Sequence, residues 1–358
     1  MGVVQPVAAQ LSLRRPGGAA ASTRAVEPIE CAGRLLGSRE LELGVDKPLI
    51  SVLVASYRAR ATIGRTLASL AAQRHGPTLE VIVVDSSPDG TADVVARQFP
   101  FARLVRRSSR LFPGDARNLG ASVARGEVLA LLDADCEVGP DWSRGVAEAH
   151  EQMVHPLIGG VVENGNPESA TGWAYYLTEF NRWLPGSAAG FIDDLPACAM
   201  TMKRALFDQY GPFMGGAYCS DTELVWRLAD DGIRPYLEPS IRLRHVNPTR
   251  LPAILRHGAH HGRAFAQLRS RVSSGGLPLL RAATAPLLPA VLFARAAVRA
   301  ARSPVGLARF AASAPLTLVV MSAWSLGECA GYLDAVMPRR GTRTTAASAG
   351  AGIHAPRP

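Results

Sequence analysis

Between Leu49 and His150, short β-branched runs alternate with segments of helical period, and this alternation constrains the fold more than any other feature. Ile50–Ala55 is a continuous, mostly apolar run of strand length. Ala61–Gln73 follows with Ile63, Leu67, Leu70 and Ala71 at helical spacing. Leu79–Val84, Ala102–Val105 and Glu127–Leu132 read as further strands. Helices are predicted over Thr91–Gln98, Asp115–Ala124 and Trp142–His150. Strands joined in this way form βαβ units, and the crossovers make the sheet parallel. Ligands of such sheets sit beyond the carboxyl ends of the strands. The segments to search are therefore Ala55–Arg58, Asp85–Gly90 and Asp133–Glu137.

Past residue 155 the pattern changes. Leu157–Val162 is a strand, and Trp173–Trp183 is an aromatic-rich helical or loop segment. Pro196–Met202 leads into a helix around Ala205–Tyr210, and Asp221–Asp230 is another helix. Arg234–Glu238 and Ile241–His245 read as two short strands. This half supplies the second wall of a cleft. Farther on lie an uncharged run of thirteen residues, Ala282–Ala294, and one of eighteen, Phe310–Gly327, which contains Pro315. A spanning helix needs about 20 apolar residues, so the first run is too short and the second marginal. Both are predicted to be interfacial or re-entrant, flanked by Arg281, Arg295, Arg299, Arg302 and Arg309. The alternative is an apolar helical pair packed on the domain.

Charge supports the same division. The 358 residues carry a net charge of +9, and hydrophobic residues reach 47% against 19% charged, which excludes a disordered chain. Residues 250–358 hold fourteen Arg against two acids, whereas residues 48–249 are net acidic. A nucleic-acid binder would not confine its charge to an apolar tail, so no nucleic acid is expected. The tail suits a membrane surface with anionic lipid. The expected organisation is a loosely ordered arm over 1–47 and a catalytic domain over 48–250, divided into halves at 150/151. A basic, membrane-associated region over 251–337 and a disordered tail over 338–358 follow. Five scattered cysteines, without a CxxC pair, read as reduced thiols. The early apolar stretch is broken by Gln5, Pro6 and Gln10, and its arginines follow it, so it does not read as a secretory signal.

Asp133-Ala134-Asp135, directly after the fourth strand, is the sharpest chemical signal. In extended chain, residues i and i+2 face one side. Two carboxylates there, with no obvious basic partner, want a hard divalent cation, Mg²⁺ or Mn²⁺, able to neutralise a diphosphate. Asp85 ends the second strand beside Ala55-Ser56-Tyr57, where a carboxylate can accept from a base N–H and Tyr57 can stack. Arg117 can reach a phosphate, or pair with Asp85 or Asp133. Asp221 starts a helix as a general-base candidate, and His245 ends a strand as a possible further metal ligand. His257, His260 and His261 share helical spacing with no acid near in sequence, so they read as a solvated or lipid-facing helix edge.

These motifs, in this order, resemble the family 2 glycosyltransferases of GT-A fold. The matching segments are Ser51–Tyr57, Val81–Thr91, Ala116–Gly120, Leu131–Asp135, Met202–Phe213 and Ser220–Leu224. The resemblance covers roughly 49–247. It implies an α/β fold, a Rossmann-like and mainly parallel sheet flanked by helices. It also implies inverting transfer from a nucleotide-sugar donor to a glycan or lipid-linked acceptor at the cytoplasmic face of the cell membrane, in envelope polysaccharide synthesis. In that reading Ala55, Tyr57, Asp85, Arg117 and Asp133 bind the donor. Asp135 and His245 hold the metal, and Asp221 is the base. Ser86 and Ser220 stand where the family often has acids. No QxxRW motif is present, so one sugar per encounter is expected. Two alternatives are a sugar-phosphate nucleotidyltransferase and a catalytically silent nucleotide-sugar-binding protein. The nucleotidyltransferase would want a glycine-rich loop where Ala55–Arg60 has no glycine.

Overall fold

The computed structural model describes residues 49–272 and 277–336. The expected N-terminal arm and C-terminal tail lie outside the described residues. Elements β1 (Ile50–Ser56), α1 (Ile63–Ala71), β2 (Leu79–Asp85), α2 (Thr91–Gln98), β3 (Arg103–Arg106), α3 (Pro113–Val123) and β4 (Val128–Asp133) follow the alternation read from the sequence. Strands β3-β2-β1-β4 lie side by side and parallel. Their inner residues, such as Val52, Leu53, Ile82, Val83, Leu131 and Leu132, are buried because helices cover the sheet. The register sets Ser56 opposite Asp85 and Ala55 opposite Asp133, so three strand tips end level. Helix α3 opens with Pro113, which needs no hydrogen-bond partner in a first turn. At Gly120 α3 lies close to the sheet, where an added Cβ would meet Leu53 at 3.4 Å and Val84 at 3.5 Å.

The second half comprises β5 (Cys136–Val138), α4 (Trp142–Gln152), β6 (Leu157–Asn164), α5 (Ala170–Glu179), β7 (Gly190–Phe191), β8 (Met200–Lys203), α6 (Arg204–Tyr210), α7 (Ser220–Asp230) and β9 (Tyr236–His245). The sheet continues β4-β8-β6-β9-β5, with β7 paired to β9. Strand β8 runs antiparallel to both β4 and β6, so this half is mixed rather than parallel. Three local expectations change. The approach to α6 contains strand β8. The aromatic segment is helical to Glu179, with Ser169 capping α5 by accepting from Gly172 N–H at 3.0 Å. The two short strands are one strand, β9, whose pairing with β6 slips between Leu237 and Arg242. Pro239, which has no N–H to give a ladder, falls in that slip.

Four helices complete the described chain: α8 (Leu251–Val272), α9 (Pro278–Thr284), α10 (Leu288–Ala301) and α11 (Gly306–Val336). Helices α9 and α10 run on through a short 3-10 turn as a 24-residue stretch, and α11 has 31 residues, so both are long and apolar enough to cross a membrane. They exceed the uncharged runs because charged residues lie inside them: Arg281, Arg295 and Arg299 in the first, Arg309, Glu328 and Asp334 in the second. Helix α11 packs backbone to backbone on α8. Gly258 and Gly262 lie four residues apart on one helix, and Gly327 and Gly331 on the other. A Cβ on Gly262 would strike the Trp324 carbonyl, and one on Gly327 the Ala259 carbonyl. Small residues at this spacing admit close helix contact. Arg263 pairs with Asp334 across the same seam. The opposite surface leaves Leu287 67% and Leu326 71% exposed.

A buried histidine gives the fold a pH dependence. His150 Nε2 lies 2.8 Å from Thr201 Oγ1, which itself donates to the Ile158 carbonyl at 2.9 Å. The imidazole must therefore donate through Nε2, which leaves Nδ1 unprotonated and without a partner. Burial, aided by the Lys203 charge, pushes His150 from 6.5 to about 3. The unfolded chain takes up this proton first, so stability is complete above the unfolded value and falls on acidification toward the folded one. The loss reaches about 2 kcal/mol by pH 5. Urea midpoints should therefore fall more between pH 7 and 5 for the wild type than for His150→Gln; parallel curves would contradict this.

Candidate active site

The level tips of β1 and β4 form one wall of a cavity of about 770 Å³. That size suits a ligand of nucleotide-sugar dimensions. Ala55, Tyr57, Arg117, Asp133, Asp135 and His245, all singled out from sequence, line it together. Asp85 and Asp221 are not among the lining residues. Asp85 lies behind the wall, 2% exposed, its carboxylate accepting from Ser56 Oγ at 2.8 Å and Ser87 Oγ at 2.6 Å. Asp221 sits in the first turn of α7 and accepts from the Ala197 N–H at 3.2 Å.

The expectation that Asp133 and Asp135 lack basic partners is corrected. Arg117, 4% exposed, donates to Asp133 Oδ1 at 2.7 Å. Burial pulls the Arg117 guanidinium down, but the charges of Asp133 and Asp221 outweigh it and hold the group above its ordinary value. Asp221 thus reaches Arg117 through its charge. Asp135 Oδ1 lies 3.4 Å from His245 Nε2. Burial raises the Asp135 carboxyl, His245 opposes that rise, and Asp133 adds to it.

The tautomer of His245 follows from its neighbours. Asn247 Nδ2 donates to Asn164 Oδ1 at 2.8 Å, which turns Asn247 Oδ1 toward His245 Nδ1 at 3.0 Å. Nδ1 therefore carries the proton, and the Nε2 lone pair faces a carboxylate oxygen. Two acceptors so placed repel unless a cation, a proton or a metal ion, lies between them. The donor set thus fits a divalent cation, with its histidine oriented by a carboxamide behind it. Backbone pairing fixes the approach: Cys136 lies opposite His245 in the β5–β9 ladder, and the Val246 N–H donates to the Asp135 carbonyl at 2.8 Å. The Cys136 thiol, raised well above its ordinary value by burial, lies with the Asp135 and His245 ligand atoms inside 4.8 Å.

Several wall residues escaped the sequence reading. Arg110 lies over the Tyr57 ring at 4.8 Å and donates to Tyr218 Oη at 2.8 Å. Arg58 lies 5.5 Å from the same ring. Tyr57 thus carries two guanidiniums on the cavity wall, in addition to offering a stacking face. Nothing in the local pattern marks Arg110 among the many arginines, although its place in the loop after the third strand was a usable signal. His257 also lines the cavity, contrary to its reading as an outward helix edge. The serines at expected acid positions have structural roles. Ser86 Oγ accepts from Leu111 N–H at 3.1 Å, and Ser220 packs so tightly on α3 that a Cβ at Gly114 would come within 2.6 Å of its Oγ.

Comparison with known proteins agrees with this geometry. Residues 51–211 match the model of glycosyl transferase family 2. The succinoglycan biosynthesis protein ExoO of Rhizobium meliloti (strain 1021) is 42% identical over 107 residues, covering 29% of this chain and 30% of that protein. Glycosyltransferase AglE of Haloferax volcanii is 33% identical over 173 residues, 46% of this chain and 56% of that protein. The chain thus spans about a third to just over half of these relatives' length. Among solved structures, a mannosyltransferase from Pyrobaculum calidifontis in complex with GDP-Man and Mn²⁺ superposes with a TM-score of 0.53 at 23% identity. It covers 82% of this chain and 89% of that one, a likeness of fold.

Proposed function

The chain belongs to glycosyl transferase family 2 through residues 51–211, and from that premise we propose that it moves a sugar from a nucleotide-sugar donor to an acceptor hydroxyl, with inversion. The observation that carries this reading is the single cavity shared by Ala55, Tyr57, Arg117, Asp133, Asp135 and His245. Asp85, at the adjacent strand tip, is the group for a base N–H. Ser56 and Ser87 hold its carboxylate in place. Arg58 and Arg110, carried on Tyr57, meet the charge of a diphosphate.

Asp133 orients Arg117 and takes the donor's ribose side of the site. Asp135 and His245 are the metal ligands, and one carboxylate with one imidazole favours Mn²⁺ over Mg²⁺. A divalent cation there would neutralise a leaving diphosphate. Asp221 is the general base that removes the acceptor's proton. Its position in the first turn of α7, and the field it shares with Asp133 on Arg117, support that role. An inverting displacement needs one base and an activated leaving group, so no second acid is called for.

The acceptor in this reading is a lipid-linked or envelope glycan, and the enzyme works at the cytoplasmic face of a membrane. Support comes from the exposed apolar side chains Leu279, Leu280, Leu287 and Leu326, with Arg295 and Arg302 exposed between them. Residues 251–337 form the membrane-associated part in this proposal.

Two measurements test it. Asp221→Asn should bind nucleoside diphosphate as the wild type does, yet lose transfer by at least about 100-fold in kcat; undiminished kcat would remove it as the base. For the membrane, Arg295→Gln combined with Arg302→Gln should weaken sedimentation with phosphatidylglycerol vesicles by about 30-fold, at roughly 1 kcal/mol per charge. Equal binding of both proteins to neutral and anionic vesicles would contradict the anionic-surface reading.

A further inference from the structure

We propose that Glu179, His257 and His261 form a second metal site, for a divalent transition-metal ion of the Zn²⁺ class, beside the donor cavity. This inference does not rest on the transfer reading and would stand without it. The three residues come from two elements. Glu179 is the last residue of α5, and His257 and His261 lie four apart on one face of α8. In sequence no acid accompanies the histidines; the fold supplies one from seventy-eight residues upstream of His257. One ligand atom from each residue lies within 4.8 Å of the others.

The geometry within the cluster is one that draws a cation between a carboxylate and two imidazole rings. His261 Nδ1 is buried and lies 3.1 Å from Glu179 Oε1. A metal ion about 2.1 Å from both would subtend roughly 95°, an angle such ions accept. Two imidazole rings stand with centroids 5.5 Å apart beside one carboxylate, and both cannot be cationic at that spacing.

The surroundings are those of a held site. The Tyr175 hydroxyl lies 3.5 Å from His257 Nε2, and the Cys219 thiol interacts with His261. Trp324 from α11 closes on the His261 ring at 4.8 Å. Two imidazoles and one carboxylate are a donor set for Zn²⁺ and its neighbours, not for Mg²⁺ or Ca²⁺. Three protein ligands leave a coordination position open. Because His257 lines the cavity, that position can meet an oxygen ligand bound there.

Co²⁺ and Zn²⁺ added to the chelator-stripped full chain test the proposal. Asp135→Asn combined with His245→Gln should retain one tightly bound Co²⁺, seen by visible absorption. His257→Gln should weaken that binding by at least about 100-fold. Absence of bound Co²⁺ in the double variant, or unchanged binding in His257→Gln, would overturn the site. A readout that needs no substitution covers variants that fail to fold. Zn²⁺ should protect His257 and His261 of the wild-type chain from diethyl pyrocarbonate, while exposed His260 reacts at its metal-free rate. Equal modification of all three with and without Zn²⁺ would overturn it as well.

Discussion

The buried ion pair between Arg117 and Asp133 holds the cleft together. It ties helix α3 to the tip of β4 at 2.7 Å, with the arginine side chain only 5% exposed. Removing one partner of such a pair leaves an uncompensated buried charge, at a cost of about 3–5 kcal/mol. The same guanidinium also feels the charge of Asp221 from the second half of the domain. One side chain therefore responds to an acid from each half. The parallel register makes this possible by ending β1, β2 and β4 level.

The first half of the fold was legible because its signals are local. Strands buried on both faces read as continuous apolar runs, and their turns carry Asp, Ser, Gly and Pro. Asp85, Asp133 and Asp135 could be placed at strand tips from that pattern alone. The second half was less legible because its order in the sheet depends on contacts distant in sequence. β5 is three residues long, too short for any period, yet it sets His245 beside Asp135. β9 looked like two strands because Pro239 interrupts its pattern. Asp133 is among the partners the sequence offers Arg117, yet the paired acids read as unpartnered because Arg117 lies sixteen residues upstream. Burial of the guanidinium, which makes the pair strong, leaves no trace in composition.

The histidines of α8 show the same limit. Their helical spacing was visible, but their facing acid lies at the end of α5, and only packing brings it near. That packing rests on Gly258, Gly262, Gly327 and Gly331, which let α11 approach α8 at backbone distance. Helix α11 therefore does two things at once. Phe310, Val320 and Met321 join the core of the domain, while Leu318, Val319 and Leu326 face outward. An apolar stretch read in one dimension cannot separate those faces, so interfacial and packed helices were indistinguishable until α8 was in place.

The central claim is that Asp133, Asp135 and His245 make one site for a metal-bound nucleoside diphosphate. Thermal unfolding of the full chain with GDP, UDP, ADP or CDP, each with and without Mn²⁺, tests it most directly. The account predicts that one diphosphate raises Tm by several degrees only when Mn²⁺ is present, and that Asp135→Asn abolishes the rise. A shift of equal size without metal, or one untouched by Asp135→Asn, would contradict it.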